Sequence, residues 1–120
     1  MKKIVFIIIL FSFNLKALEI TLTQGTVKPT PIAITDLNAT KNDAIKIGKN
    51  ISMVISDNLE RSGLFIPIDR KAFIQSNESL LKGPRFEDWK VIKAQHLVAG
   101  KINLTESKLS VEFRLYDVFS

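Results

Sequence analysis

Few side chains in this sequence could do bond-breaking chemistry. There is one histidine and no cysteine among 120 residues. His96 has no companion at metal-ligand spacing, and no G-x-G-x-x-G, P-loop or H-E-x-x-H pattern occurs. It reads as an ordinary residue at the start of a strand. Glu87 and Asp88 are adjacent, so on a helix they diverge rather than converge as a general acid and base. They suit a helix start near the positive end of its dipole. Asp69-Arg70 is either a capped helix start or an ion pair reaching another domain, and the cap is the simpler account. Trp89 reads as a core anchor. Four N-x-S/T triplets begin at Asn38, Asn50, Asn77 and Asn103. Asn50 falls in a helix, and a sequence rich in Ile, Lys and Asn produces such triplets by chance. No nucleophile, base and orienter can be assembled, so the reading is non-enzymatic, with no catalytic residue, cofactor or metal.

The main chain offers another chemistry. Leu18, Glu19, Ile20, Thr21, Leu22, Thr23, Gln24 and Gly25 alternate apolar and polar residues as a strand does. Ile20 and Leu22 share one face, with Leu18 in register. Thr21 and Thr23 favour the extended form and face the other way. Gly25 ends the ribbon, and Pro29 and Pro31 stiffen the spacer behind it. Such a ribbon can add to a foreign sheet edge, its amides and carbonyls pairing while alternate side chains enter pockets. These eight residues are the candidate partner-binding site. Residues 19–24 could also form an edge strand of their own domain, and the two uses are compatible.

The elements that present this ribbon begin with residues that leave. Lys2 and Lys3 precede an apolar run from Ile4 to Phe13, and Asn14-Leu15-Lys16-Ala17 follows. This is the layout of a cleavable signal peptide over residues 1–17, cut after Ala17. The run is shorter than the roughly 20 residues a permanent span needs. The competing reading is an uncleaved anchor. Absence of cysteine excludes a lipid-modified cysteine and structural disulfides. The precursor carries net charge +5, but Lys2, Lys3 and Lys16 go with the leader, which brings 17 basic residues to 14 against 12 acidic ones. The rest are scattered without a basic run, which argues against nucleic acid.

Behind the segment and linker of residues 18–30, residues 31–120 suffice for one domain. Residues 31–37 read as a buried strand and 37–41 as a polar turn. Asn42 is a helix cap. Residues 43–61 form a helix with Ala44, Ile47, Ile51, Val54, Ile55 and Leu59 or Asn58 inward, and Gly63 lies just past its end. Residues 64–68 form a second strand, with Pro67 confining it to an edge. A short helix over 70–75, a surface loop over 76–84 and a helix over 85–94 follow. Strands over 96–104 and 107–119 are joined by a tight turn, with Leu109, Val111, Phe113 and Leu115 on a core face. The expectation is an α/β (α+β) domain, a small mixed sheet packed by two main helices. A strand at the very end of a sequence usually continues, so the expectation is a truncated or split product, or a leading domain whose partner domain is missing.

The run Pro29-Thr30-Pro31-Ile32-Ala33-Ile34, the stretch Leu59-Glu60-Arg61-Ser62-Gly63-Leu64-Phe65 with Pro67-Ile68-Asp69, the segment Phe86-Glu87-Asp88-Trp89 with Ala94 and Leu97-Val98-Ala99-Gly100, and the terminal Val111-Glu112-Phe113-Arg114-Leu115-Tyr116-Asp117-Val118 together resemble the N-terminal domain of the TolB family. The resemblance runs from Leu18 to Ser120. It implies a periplasmic adaptor of the Tol-Pal system, which maintains the outer membrane and helps it constrict at division. It implies that the extreme mature N-terminus, here Leu18 to Gly25, binds the C-terminal domain of inner-membrane TolA. It also implies a six-bladed propeller after the domain, carrying the main contact with the lipoprotein Pal. No blade repeat occurs in these 120 residues, which puts Pal binding by this portion in doubt. The alternative is a stand-alone exported α/β domain that binds an envelope ligand.

Overall fold

The computed structural model describes residues 28–120. The leader (1–17) and the segment Leu18–Gly25 lie outside the described residues. A four-stranded mixed sheet has the order β2-β1-β3-β4, formed by β1 (Thr30–Ile34), β2 (Phe65–Pro67), β3 (His96–Thr105) and β4 (Lys108–Asp117). β1 runs parallel to β2 and to β3, and β3 pairs antiparallel with β4 along its whole length. Helix α1 (Asn42–Arg61) covers one face and the short helix α2 (Phe86–Val91) lies on the other. The expected α/β class and element order hold.

β1 is buried because both faces are covered. Ile32 and Ile34 meet Val98, Ile55, Leu59 and Phe65 under α1. Ala33 faces the opposite layer with Leu97, Ala99, Trp89, Ala94 and Val118. Continuous apolar sequence is what a parallel strand between two layers requires. Pro31 sits in this central strand without losing a ladder bond. It lies just before β3 begins, and its carbonyl accepts the Gln95 N–H at 3.0 Å. β2 is the edge strand that Pro67 demands.

The inward line of α1 differs from the expected one. Ala44, Gly48 and Ser52 are buried, with Ile47, Ile51, Ile55 and Leu59 beside them, while Val54 is exposed. The cause is close approach. A Cβ on Gly48 would lie 2.7 Å from the Leu37 carbonyl oxygen, so the helix backbone nearly touches the β1–α1 connection there. Ser52 ties the same place, its Oγ accepting the Leu37 N–H (3.1 Å) and donating to the Gly48 carbonyl (2.9 Å). Val54 is turned to solvent as a result. Leu37 itself, expected in a polar turn, is buried against Ala44 and Ile102.

Asn42 does not cap α1. It is the first helical residue, and Lys41 holds the extended cap position without a side-chain bond to the first turn. Gly63 does close the helix in the left-handed region (φ 78°). The expected helix over 70–75 is a single 3-10 turn, Arg70–Ala72, capped by Asp69, whose Oδ1 accepts the Lys71 N–H at 3.0 Å. Arg70 is ion-paired with Asp36 inside the domain. The expected loop over 76–84 contains a 3-10 turn, Ser79–Lys82, that buries Leu80.

Candidate interaction surface

What the structure contributes to the candidate segment is its point of attachment. Thr30 starts a strand in the middle of the sheet, held on one side by the Thr30 N–H to Leu64 carbonyl bond (2.9 Å). Between Gly25 and Thr30 the chain can extend by roughly 17 Å, at about 3.3 Å per residue. Strands are spaced about 4.8 Å apart, so the distance from β1 to either sheet edge is shorter than that. The eight residues of the candidate segment lie outside the described part of the structure.

The residues weighed for catalysis are distributed as structural parts. His96 opens β3 with its ring edge-on to Phe65, centroids 6.2 Å apart. Glu87 and Asp88 lie in the first turn of α2 and pair with separate cations, Lys90 at 3.4 Å and Arg85 at 2.9 Å. Trp89 is completely buried, and its indole N–H donates to Gln75 Oε1 (2.9 Å). Gln75 also accepts the Arg85 N–H (2.8 Å) and donates to Ser79 Oγ and the Gly83 carbonyl (both 3.0 Å). One buried amide thus fixes the path from residue 75 to 89.

The feature the sequence reading misassigned is β4. Leu109, Val111, Phe113 and Leu115 alternate as expected, yet they are not core: Phe113 is 58% and Leu115 61% exposed. The reason is helix width. Two sheet strands span about the width of one helix, and α1 packs on β1, β2 and β3. Among the described residues, none packs over the apolar face of β4 or pairs with its outer edge. A count of helices long enough to roof four strands would have flagged this: among the described residues only one reaches 20 residues.

A groove of about 620 Å³ lies beside the hairpin, lined in part by Ala39, Glu78, Lys101, Asn103 and Glu112. Its charges are partly self-satisfied, Lys101 Nζ lying 3.7 Å from Glu112 Oε2.

The family model for the TolB amino-terminal domain matches residues 18–120. The chain is 52% identical over 103 residues to the Tol-Pal system protein TolB of Paramagnetospirillum magneticum, covering 85% of this chain and 23% of that protein. It is 44% identical over 112 residues to the Tol-Pal system protein TolB of Pelagibacter ubique, covering 86% and 25% respectively. The crystal structure of TolB from Acinetobacter baumannii superposes with a TM-score of 0.55 at 24% identity, over 76% of this chain and 20% of that one. That likeness bears on the fold. The chain thus spans about a quarter of the length of these relatives. By the match of its amino-terminal domain model from Leu18 to its last residue, the chain belongs to the TolB family.

Proposed function

We infer that this chain is a non-catalytic periplasmic adaptor of the Tol-Pal system, and that Leu18–Gly25 bind the C-terminal domain of TolA by strand addition. Residues 1–17 export it and are cut off after Ala17. Through its link between TolA and Pal the family's role is to support outer-membrane integrity and invagination at division. The residues present here address TolA. Pal is the partner of the propeller that the resemblance places behind this domain.

The observation that carries this reading is positional. The family match begins at Leu18, directly behind the apolar leader. The alternating ribbon that starts there is joined by a proline-stiffened tether to a fixed central strand. On pairing, Ile20 to Gln24 would supply main-chain bonds, while Leu18, Ile20 and Leu22 fill pockets on one side. Leu22→Asp should weaken binding to TolA's C-terminal domain by at least about tenfold, since an uncompensated carboxylate in an apolar pocket costs more than about 1.4 kcal/mol. The fold of residues 28–120 should be unaffected. Calorimetry reads the affinity and circular dichroism the fold; an unchanged dissociation constant refutes the role.

The groove beside the hairpin keeps an envelope-ligand reading in play, but its lysine and glutamate neutralise one another. Titration with muropeptides separates the readings: heat from them and none from TolA's domain would favour the groove.

A further inference from the structure

The tether and the far end of the last strand meet at one end of the sheet. β1 and β3 run parallel with Ile32 opposite His96, and β3 and β4 run antiparallel with His96 opposite Asp117. The chain therefore enters β1 and leaves β4 at the same end, with β3 between them. One residue spans that gap. The Gln95 N–H donates to the Pro31 carbonyl (3.0 Å), and the Gln95 carbonyl accepts the Val118 N–H (3.0 Å). Pro31 and Val118 are thus two strand spacings apart, about 10 Å. The turn that presents Gln95 is itself strained, since Lys93 holds a φ of 64°, a region that side chains other than glycine's disfavour. The hairpin turn Glu106-Ser107 lies at the opposite end, the length of β3 away, roughly 30 Å.

This layout decides how the body responds when a partner holding the ribbon is drawn away from it. Interstrand hydrogen bonds run across the strands, perpendicular between β3 and β4 and slanted between β1 and β3. A pull between two points at the same sheet end runs along those bonds and meets them one row at a time. A pull between opposite ends runs along the strands, so every row between them must slide at once. Across β1 and β3 those rows include the bonds from Gln95 to Pro31, Thr35 to Val98, Asn38 to Gly100 and Ile102 to Asn38, at 2.7–3.0 Å. A pull between the tether and Val118 loads only the first of these at the outset, in series with the Val118 bond. We propose that the domain is a compliant mount. Tension between its N-terminal tether and the chain beyond Val118 opens the sheet from the Gln95 end, row by row. It does so at a lower force than the same fold withstands between the tether and the hairpin tip. The proposal takes from the functional reading only that the ribbon is the point a partner pulls. It gives the body a mechanical role, yielding under load, that binding alone does not require.

The test is forced unfolding of the purified chain in optical tweezers. The sequence has no cysteine, so thiol handles can be placed singly. Lys28→Cys with Ser120→Cys pulls from the shared end, and Lys28→Cys with Glu106→Cys pulls from opposite ends. All three positions are exposed, so the fold tolerates the handles. Forced unfolding reads the barrier to opening rather than the equilibrium stability, and both variants start from one native state. At a common loading rate the shared-end pair should unfold at a lower mean force than the opposite-end pair. Lys28→Cys with Lys108→Cys, also exposed, supplies a second opposite-end pair should the change at Glu106 disturb the turn. A shared-end force equal to or above the opposite-end force overturns the proposal. Neither arm contains TolA's domain, so failure of the ribbon to bind and failure of the mount appear in separate measurements.

Discussion

Gln75 shows how one polar side chain can organise a connection. Its amide oxygen takes two donors and its amide nitrogen serves two acceptors, all between 2.8 and 3.0 Å. Every hydrogen-bonding site it offers inward is used, and the residue is buried. Replacing it with leucine keeps the volume but strands the Trp89 indole N–H and the Arg85 N–H in an apolar setting. Each stranded group costs about 1–3 kcal/mol, so Gln75→Leu should destabilise the domain by about 2–6 kcal/mol. Urea unfolding followed by the fluorescence of Trp89, the sole tryptophan, measures it. A loss below about 0.5 kcal/mol, the size of an ordinary surface change, would show that water replaces the amide. Trp89 as a core anchor was readable from residue type. Gln75 was not, because a polar residue becomes a hub only when residues 79, 83, 85 and 89 are brought around it, and nothing in local sequence says so.

At the scale of elements, the contact between α1 and the β1–α1 connection sets the packing. Glycine inside a helix usually costs up to about 1 kcal/mol relative to alanine. At Gly48 the balance reverses. The added methyl would press on the Leu37 carbonyl oxygen at 2.7 Å and on Ile102 Cγ2 at 3.2 Å. The carbonyl is backbone and cannot rotate away, and overpacking costs about 1–3 kcal/mol. Gly48→Ala should therefore destabilise, against helix propensity, with the thermal midpoint falling; a rise would mean α1 can shift off the connection freely. The same contact explains what the sequence disclosed and what it hid. Periodicity placed α1 within one residue of its start and identified most of its inner face, because 3.6-residue spacing is a local property. It placed Val54 inward, because apolar type alone does not reveal that Gly48 and Ser52 bring the helix closest to the sheet. It likewise read the alternation in β4 correctly and its burial wrongly. Alternation fixes which side chains share a face, but whether a face is covered depends on how many strands one helix can roof.

For the whole molecule, the division of labour between ribbon and body can be measured. If residues 18–25 alone make the contacts with TolA's domain, the body serves as an anchor, and the tether decides only whether the ribbon can reach. A synthetic peptide covering residues 18–27 should then bind TolA's domain within a few-fold of the whole chain. If the ribbon is free in both contexts, its ordering cost is the same in each and no preorganisation is lost on excision. Shortening the tether of the whole chain by deleting residues 26–28 removes roughly 10 Å of reach. That should weaken binding sharply, because two folded bodies collide before the strand can seat. The paired outcome is diagnostic. A peptide that binds far more weakly than the chain would place part of the contact surface on the folded body. A deletion without effect would mean that the ribbon approaches TolA from a direction the body does not obstruct. Equal peptide affinity together with a damaging deletion would leave reach as the body's sole contribution to binding.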